Sequence, residues 1–285
     1  MNQQIWRLSV HSTGASLDAL SGALYLAGYE GIEILDSPGG AGQVTVRAYA
    51  VARHGLEELA RVVSAVPGCD MGGIEEIPIE DWAEGWKKYF RPVEVGHGLV
   101  VLPPWAAPQA YAGRVAVIID PGHAFGTGTH ASTRLVLEGL ERIQPHVPLQ
   151  GPVVDLGTGS GILAIAAVKL GLAPVTAIDV DPEAVGEARS NARINGVHPF
   201  VHFIEGDQHD VPDGARLVLA NISAPVHRAI APLLSQRLAP GGRALLAGLL
   251  VDEVEGVVRA WPSGWAARQE TIEEWALLEL AAPSA

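Results

Sequence analysis

Residues 155–161 read Asp-Leu-Gly-Thr-Gly-Ser-Gly, preceded by Gly151-Pro152-Val153-Val154 and followed by the apolar run Ile162-Leu163-Ala164-Ile165-Ala166-Ala167-Val168. That order predicts a strand, a glycine turn and a helix. Glycines 157, 159 and 161 remove every Cβ where the backbone must turn sharply, and they let a ligand approach the N–H groups at a helix N-terminus. Turns of this kind suit nucleotides. The dinucleotide fingerprint G-x-G-x-x-G/A, counted from Gly157, requires Gly or Ala at position 162, where this chain has Ile162. An acid, Asp155, stands two residues ahead of the first glycine instead.

A second acid supports a nucleotide ligand. Val175, Ala177 and Ile178 lead into Asp179-Val180-Asp181-Pro182, so Asp179 ends a second strand, where a carboxylate can accept both ribose hydroxyls of a nucleoside. Pro182 suits the first turn of the next helix, with Asp181 as its cap. Asp207, in Glu205-Gly206-Asp207 after a third strand, is placed to approach the adenine edge.

From residue 175 onward, strand and helix candidates alternate over 175–180, 182–194, 200–204, 216–221, 226–238, 243–250 and 252–261, and the tail 265–280 reads as an antiparallel hairpin. Alternation of this kind implies an α/β fold, a doubly wound parallel sheet with ligands at the carboxyl ends of its strands. Leu99–Leu102 and Val115–Ile119 are further strands. They lead into the loop 120–133, where Gly122, Gly126 and Gly128 give pliability, Phe125 can cover a ligand face, and Thr127, Thr129, His130, Ser132 and Thr133 offer hydrogen bonds. Such a segment can close over a bound cofactor.

Residues 1–78 differ in kind. Ile5–Val10 alternates as a strand, and Leu17, Leu20, Leu24 and Ala27 recur at helical spacing. Two short strands, Ile32–Ile34 and Val44–Val46, flank the turn 36–40. Leu56, Leu59, Val62 and Val66 form a second helical stripe, and Ile74–Ile77 is a fourth strand. The β-α-β-β-α-β order is that of a small α+β ferredoxin-like module. It holds four basic and nine acidic residues and no catalytic constellation, so substrate recognition is its expected task. Residues 79–95 read as a linker helix closed by Pro92, with Trp82, Trp86 and Tyr89 on one face, and 96–285 as the catalytic domain.

Composition narrows the classes. Cys69 is the only cysteine, which excludes disulfides and cysteine zinc clusters. His198, His202 and His209 come with no H-E-x-x-H pattern, and no metal is expected. Ser160 lacks the flanking glycines of a nucleophile elbow, and Lys169 lacks the glycines of a phosphate loop. No apolar run reaches the roughly 18 residues of a membrane span, so a cytoplasmic protein is expected. The net charge of −13 opposes a grip on nucleic acid and favours a basic protein partner.

The run from Asp155 to Gly161 resembles the first motif of class I S-adenosylmethionine (AdoMet) methyltransferases. The longer pattern Asp120-Pro121-Gly122-x-Ala124-Phe125-Gly126-Thr127-Gly128-Thr129-His130-x-x-Thr133, taken with Asp155–Ala166, Trp82-x-x-x-Trp86-Lys87-Lys88-Tyr89-Phe90-x-Pro92 and Ala220-Asn221-Ile222, resembles the bacterial ribosomal protein L11 methyltransferases, the PrmA family. His123 and Ser132 depart from its usual residues, and 144–150 resembles a small insertion. The resemblance spans the chain and implies a seven-stranded class I, Rossmann-like domain behind the ferredoxin-like front, acting as a monomer. It implies AdoMet-dependent methylation of α-amino and lysine ε-amino groups on that ribosomal protein, with cofactor contacts at Thr133, Gly157, Asp179 and Asn221. Asp155, Gly159, Phe125, Gly126, Thr127 and Asp207 complete the candidate cofactor set. Asn221, at the end of the strand 216–220, is the candidate for orienting the amine through its carbonyl oxygen; its alternative role is to cap the helix that follows. Two other readings stay open on the residues alone: a nicotinamide-dependent oxidoreductase, disfavoured by Ile162, and a non-catalytic AdoMet-binding module on the ribosome.

Overall fold

The computed structural model describes residues 5–13, 16, 20, 32–36, 43–50, 53–64, 66–77, 91–120, 130–146 and 151–284. The chain divides into two compact units, Met1–Phe90 and Arg91–Ala285.

In the first unit, β1 (Ile5–Thr13), β2 (Ile32–Asp36), β3 (Gln43–Ala50) and β4 (Cys69–Ile77) form an antiparallel sheet in the order β2-β3-β1-β4. This is the strand order of the ferredoxin-like topology expected from the sequence. Alternation places Leu8 and Val10 of β1 beside Val46 and Ala48 of β3 in one small core. Helix α1 (Arg53–Val63) adds Leu56, Leu59 and Val63 to that core. The expected stripe through Val62 and Val66 is therefore corrected. Val63, a 3-then-4 step from Leu56, stays on the buried face, while Val62 is rotated off it and 46% exposed, and Val66 lies past the helix end. The helix expected over 17–27 lies outside the described residues except for the buried Leu20. So does most of the linker helix with Trp82, Trp86 and Tyr89.

The second unit opens with a three-stranded sheet, β5 (Val93–Val95), β6 (Leu99–Leu102) and β7 (Val115–Ile118), with β6 and β7 parallel. β5 is too short to announce itself in the sequence. Helix α2 (Ala131–Ile143) follows. Then come β8 (Val153–Leu156), α3 (Ile162–Lys169), β9 (Val175–Asp179), α4 (Pro182–Ile194), β10 (Val201–Glu205), β11 (Ala215–Asn221), α5 (Ala224–Arg237), β12 (Leu238–Leu250), α6 (Val254–Val258), β13 (Ala266–Ile272) and β14 (Trp275–Ala281).

The strands from β8 onward form one seven-stranded sheet in the order β10-β9-β8-β11-β12-β14-β13. All pairs are parallel except those made by β14. Helices cover both faces, so the central strands read as unbroken apolar runs: β8 is buried throughout, and β11 up to its last residue. From β8 the chain winds outward through β9 and β10, then crosses back to β11 and winds the other way. The reversal leaves a crevice between the carboxyl ends of β8 and β11, where an open parallel sheet receives its ligand.

Candidate active site

The glycine turn fills one side of that crevice. Gly157, Gly159 and Gly161 have φ of 74°, 52° and 81°, a region that side-chain-bearing residues rarely adopt. The N–H groups of Gly157 and Thr158 both donate to the carbonyl of Ile178, at 2.8 and 3.0 Å, which folds the turn back onto the end of β9. A Cβ on Gly161 would stand 3.0 Å from both Cα and Cβ of Ala188, so this glycine also lets α3 and α4 approach closely.

Two acids hold the turn. Asp179 accepts from Gly159 N–H through Oδ2 at 2.9 Å and from Asp181 N–H through Oδ1 at 3.1 Å. Each oxygen keeps lone-pair capacity for a further donor. Asp181 caps α4 by accepting from Glu183 N–H at 2.8 Å, with Pro182 in the first turn, as the sequence predicts. Asp155 behaves differently. It is fully buried, and its Oδ2 accepts from Thr158 Oγ1 at 2.7 Å and from Ala164 N–H at 3.0 Å. Burial pushes its pKa up to about 7, and the negative charge of Asp179 adds to the rise. Asp155 stands behind the turn, outside the cleft lining, and both of its hydrogen bonds join the turn to the start of α3.

The cleft has a volume of about 420 Å³, within the range of small-molecule sites. The structure brings together Thr133, Gly157, Gly159, Asp179, Asp207 and Asn221 on its lining. Asp207 stands at the start of a short 3₁₀ turn, accepting from His209 N–H at 2.8 Å. Thr133 is fully buried in the first turn of α2, and its Oγ1 accepts from Asn221 Nδ2 at 3.2 Å. With the amide nitrogen committed there, Oδ1 is the atom of Asn221 left to accept a hydrogen bond. The helix cap belongs to Ser223 and not to Asn221. His130 caps α2 by accepting from Ser132 N–H through Nδ1 at 3.3 Å, the same Nδ1 lies 2.7 Å from Ser132 Oγ, and its ring stands edge-on to Trp275 at 4.5 Å. Phe125, Gly126 and Thr127 lie outside the described residues.

Several lining residues escape sequence reasoning. Ile222, Val226 and Ile230 form an apolar wall with the first turns of α5, which begins two residues earlier than its hydrophobic pattern suggests, with Pro225 inside the first turn. Only the structure reveals Val226 as an apolar residue left 44% exposed beside the Asn221 strand end. Behind this wall His227 is buried, with Nε2 2.9 Å from the carbonyl of Ala247, which also accepts from Ile222 N–H at 3.1 Å. Burial pulls its pKa down to about 4 although the carbonyls of Ala247 and Ile222 oppose the shift, so the ring is neutral and donates from Nε2. Among the described residues, no three His, Cys, Asp or Glu side chains are grouped to hold a metal ion, and no helix is long and apolar enough to cross a membrane.

The strand order, the glycine turn at the switch point and the acid closing β9 define a class I methyltransferase. The family model described as Ribosomal protein L11 methyltransferase (PrmA) matches residues 4–282, and the chain belongs to that family. A Ribosomal protein L11 methyltransferase of Symbiobacterium thermophilum is 46% identical over 213 residues, covering 74% of this chain and 67% of its own. One from Pelotomaculum thermopropionicum is 43% identical over 230 residues, covering 80% and 74%. A crystal structure of a ribosomal protein L11 methylase from Lactobacillus delbrueckii subsp. bulgaricus superposes with a TM-score of 0.61 at 28% identity, over 68% of this chain and 99% of that one. The chain is thus an AdoMet-dependent protein methyltransferase, which removes both the oxidoreductase and the non-catalytic readings.

The site's own geometry fits AdoMet. At Gly157, a Cβ would fall 2.6 Å from Cγ2 of Ile222 across the cleft, so only glycine keeps the two walls apart.

Proposed function

We propose that this enzyme methylates the α-amino and lysine ε-amino groups of ribosomal protein L11, as a cytoplasmic monomer. The observation that carries this reading is the pairing of two unlike walls in one cleft: a glycine turn with Asp179 on one side, and Asn221 backed by apolar side chains on the other. Bound AdoMet supplies an already activated methyl on a sulfonium, so the chain must align a neutral amine and exclude water.

Each residue has a task in that scheme. Asp179 uses its remaining lone pairs on the ribose hydroxyls, Asp207 approaches the adenine edge, and Gly157 and Gly159 open the backbone to the cofactor. Thr133 holds the amide of Asn221, whose Oδ1 accepts an N–H of the incoming amine and aims the nitrogen lone pair along the line of transfer. Ile222, Val226 and Ile230 lower the polarity around the amine, which favours its neutral form over an ammonium of ordinary pKa near ~10.4. The chain's negative charge favours a basic substrate.

The test is transfer of labelled methyl from AdoMet to purified L11, with the products mapped by mass spectrometry. Methyl groups on amino nitrogens of L11 are expected; a folded, AdoMet-binding enzyme that leaves L11 unmodified would overturn the substrate assignment. We assign recruitment of L11 to residues 1–78 and catalysis to 96–285; of the expected linker helix 79–95, residues 93–95 instead form β5 and pair with β6 in the second unit. A chain starting at Ile79 is then expected to bind AdoMet normally and to methylate L11 poorly. Wild-type efficiency from that chain would place substrate recognition in the catalytic domain.

A further inference from the structure

Two asparagines four residues apart, Asn191 in the last turn of α4 and Asn195 at its C-cap, make a connection that no glycine motif announces. β7 is an edge strand of its three-stranded sheet, so its outward peptide groups need partners. Asn195 supplies them: its Oδ1 accepts from Ile118 N–H at 2.9 Å, and its Nδ2 donates to the Ile118 carbonyl at 2.5 Å. The carboxamide takes the place of a neighbouring peptide. Asn191 does something else. It is 2% exposed, its Oδ1 accepts from Asp120 N–H at 3.0 Å, and its Nδ2 donates to the Ser160 carbonyl at 2.9 Å.

Ser160 lies inside the glycine turn, next to Gly159, whose N–H is held by Asp179. Asp120 stands two residues past the end of β7. One buried side chain therefore spans two segments that no backbone hydrogen bond joins among the described residues. The task requires a donor and an acceptor at one short reach. Aspartate lacks the donor, leucine lacks both, and glutamine adds a methylene to a packed interior.

We propose that Asn191 is a positioning residue for the methyl transfer: it sets the glycine turn in register with Asp120, so that AdoMet binding at the turn is felt just past the end of β7, while Asn195 pairs with the edge of β7 and donates through Nδ2 to the Asn191 carbonyl at 2.8 Å without bonding the turn. The proposal rests on the glycine turn being the AdoMet site. Loss of the bond to Ser160 is expected to weaken AdoMet binding about tenfold, the affinity equivalent of one intramolecular hydrogen bond.

The test uses the full chain with Asn191→Ala, Asn191→Asp and Asn195→Ala, each measured by thermal unfolding, calorimetric titration with AdoMet and methyl-transfer kinetics. Both alanine variants are expected to lower Tm. Only Asn191→Ala raises the Kd and KM for AdoMet, about tenfold, and Asn191→Asp, which keeps the acceptor for Asp120 but loses the donor to Ser160, follows it. Unchanged affinity in folded Asn191→Ala, or an equal loss in Asn195→Ala, overturns the proposal. Amide exchange of the wild type covers the case in which the Asn191 variants do not fold. Saturating AdoMet is expected to slow exchange at the Asp120 amide, and an unchanged rate overturns the coupling. Gly159→Val separates the two levels: wild-type AdoMet affinity there would remove the turn itself from the site, and the role of Asn191 with it.

Discussion

The wall of the cleft built from β8 and β9 is held mainly by hydrogen bonds from its turn to β9 and α3, with Asn191 added from α4, whereas the wall built from β11 and α5 is fixed by partners from distant parts of the chain. On the first wall, the N–H groups of Gly157, Thr158 and Gly159 are all spent on Ile178 and Asp179, and buried Asp155 ties Thr158 to α3. On the second, Asn221 is fixed by Thr133, and the strand end rests on the Ala247 carbonyl, which serves both Ile222 and His227. The first arrangement is hydrogen-bonded before any ligand arrives, which suits a group bound in the same way throughout the reaction. The second leaves one amide oxygen and an apolar surface facing the incoming amine, which suits a group that matters most in the transition state.

The largest expected effect lies behind the backbone wall. Asp155 has its pKa raised from an ordinary 3.8 to about 7, so between those values the folded protein holds a proton that the unfolded chain releases. Its contribution is greatest below pH 4 and is lost as pH rises to about 7, a change on the order of 4 kcal/mol. Asp155→Asn, which cannot ionise, is expected to lose less stability than wild type over that interval in denaturant titrations from pH 4 to 8. Parallel curves for the two proteins would show that Asp155 stays ionised throughout.

Asp179→Ala is expected to weaken AdoMet binding by about 1.5–3 kcal/mol, the scale of lost charge-assisted hydrogen bonds. Calorimetric titration of the folded variant reads this directly, and unchanged affinity would remove Asp179 from the ribose.

Asn221→Ala sharpens the contrast between the walls. We expect kcat to fall about tenfold or more with AdoMet affinity within about threefold of wild type. A collapse of cofactor affinity with normal turnover at saturation would make Asn221 part of the binding wall instead. The smallest effect is expected from Val226→Ala on the exposed apolar surface: a rise in KM for the protein substrate of about threefold, with AdoMet affinity unchanged.

Much of the backbone wall is legible in the sequence, because its parts are neighbours along the chain. Three glycines at alternate positions, an acid ending the next strand and an Asp-Pro helix start each satisfy a local rule, and all occur where those rules place them. The register of α1 is harder to read. Val62 and Val63 are adjacent and chemically identical, and only packing against the sheet decides which one is buried. The orientation of Asp155 is hidden for a related reason. The motif shows that an acid is present but not whether it faces the ligand or the core, and the structure turns it inward onto Thr158 and Ala164.

By itself, the sequence determined the alternation of strands and helices, the glycine turn, the acid at Asp179 and the two-part character of the chain, since these rest on periodicity and on contacts within a turn of the chain. Only the tertiary structure decided which residues complete the site. The bond between Asn221 and Thr133, the bridge that Asn191 makes from Asp120 to Ser160 and the apolar wall of Ile222, Val226 and Ile230 join segments far apart in sequence. Such contacts leave no period in the chain, because the physical requirement is a matched distance across the sheet and not a spacing along it.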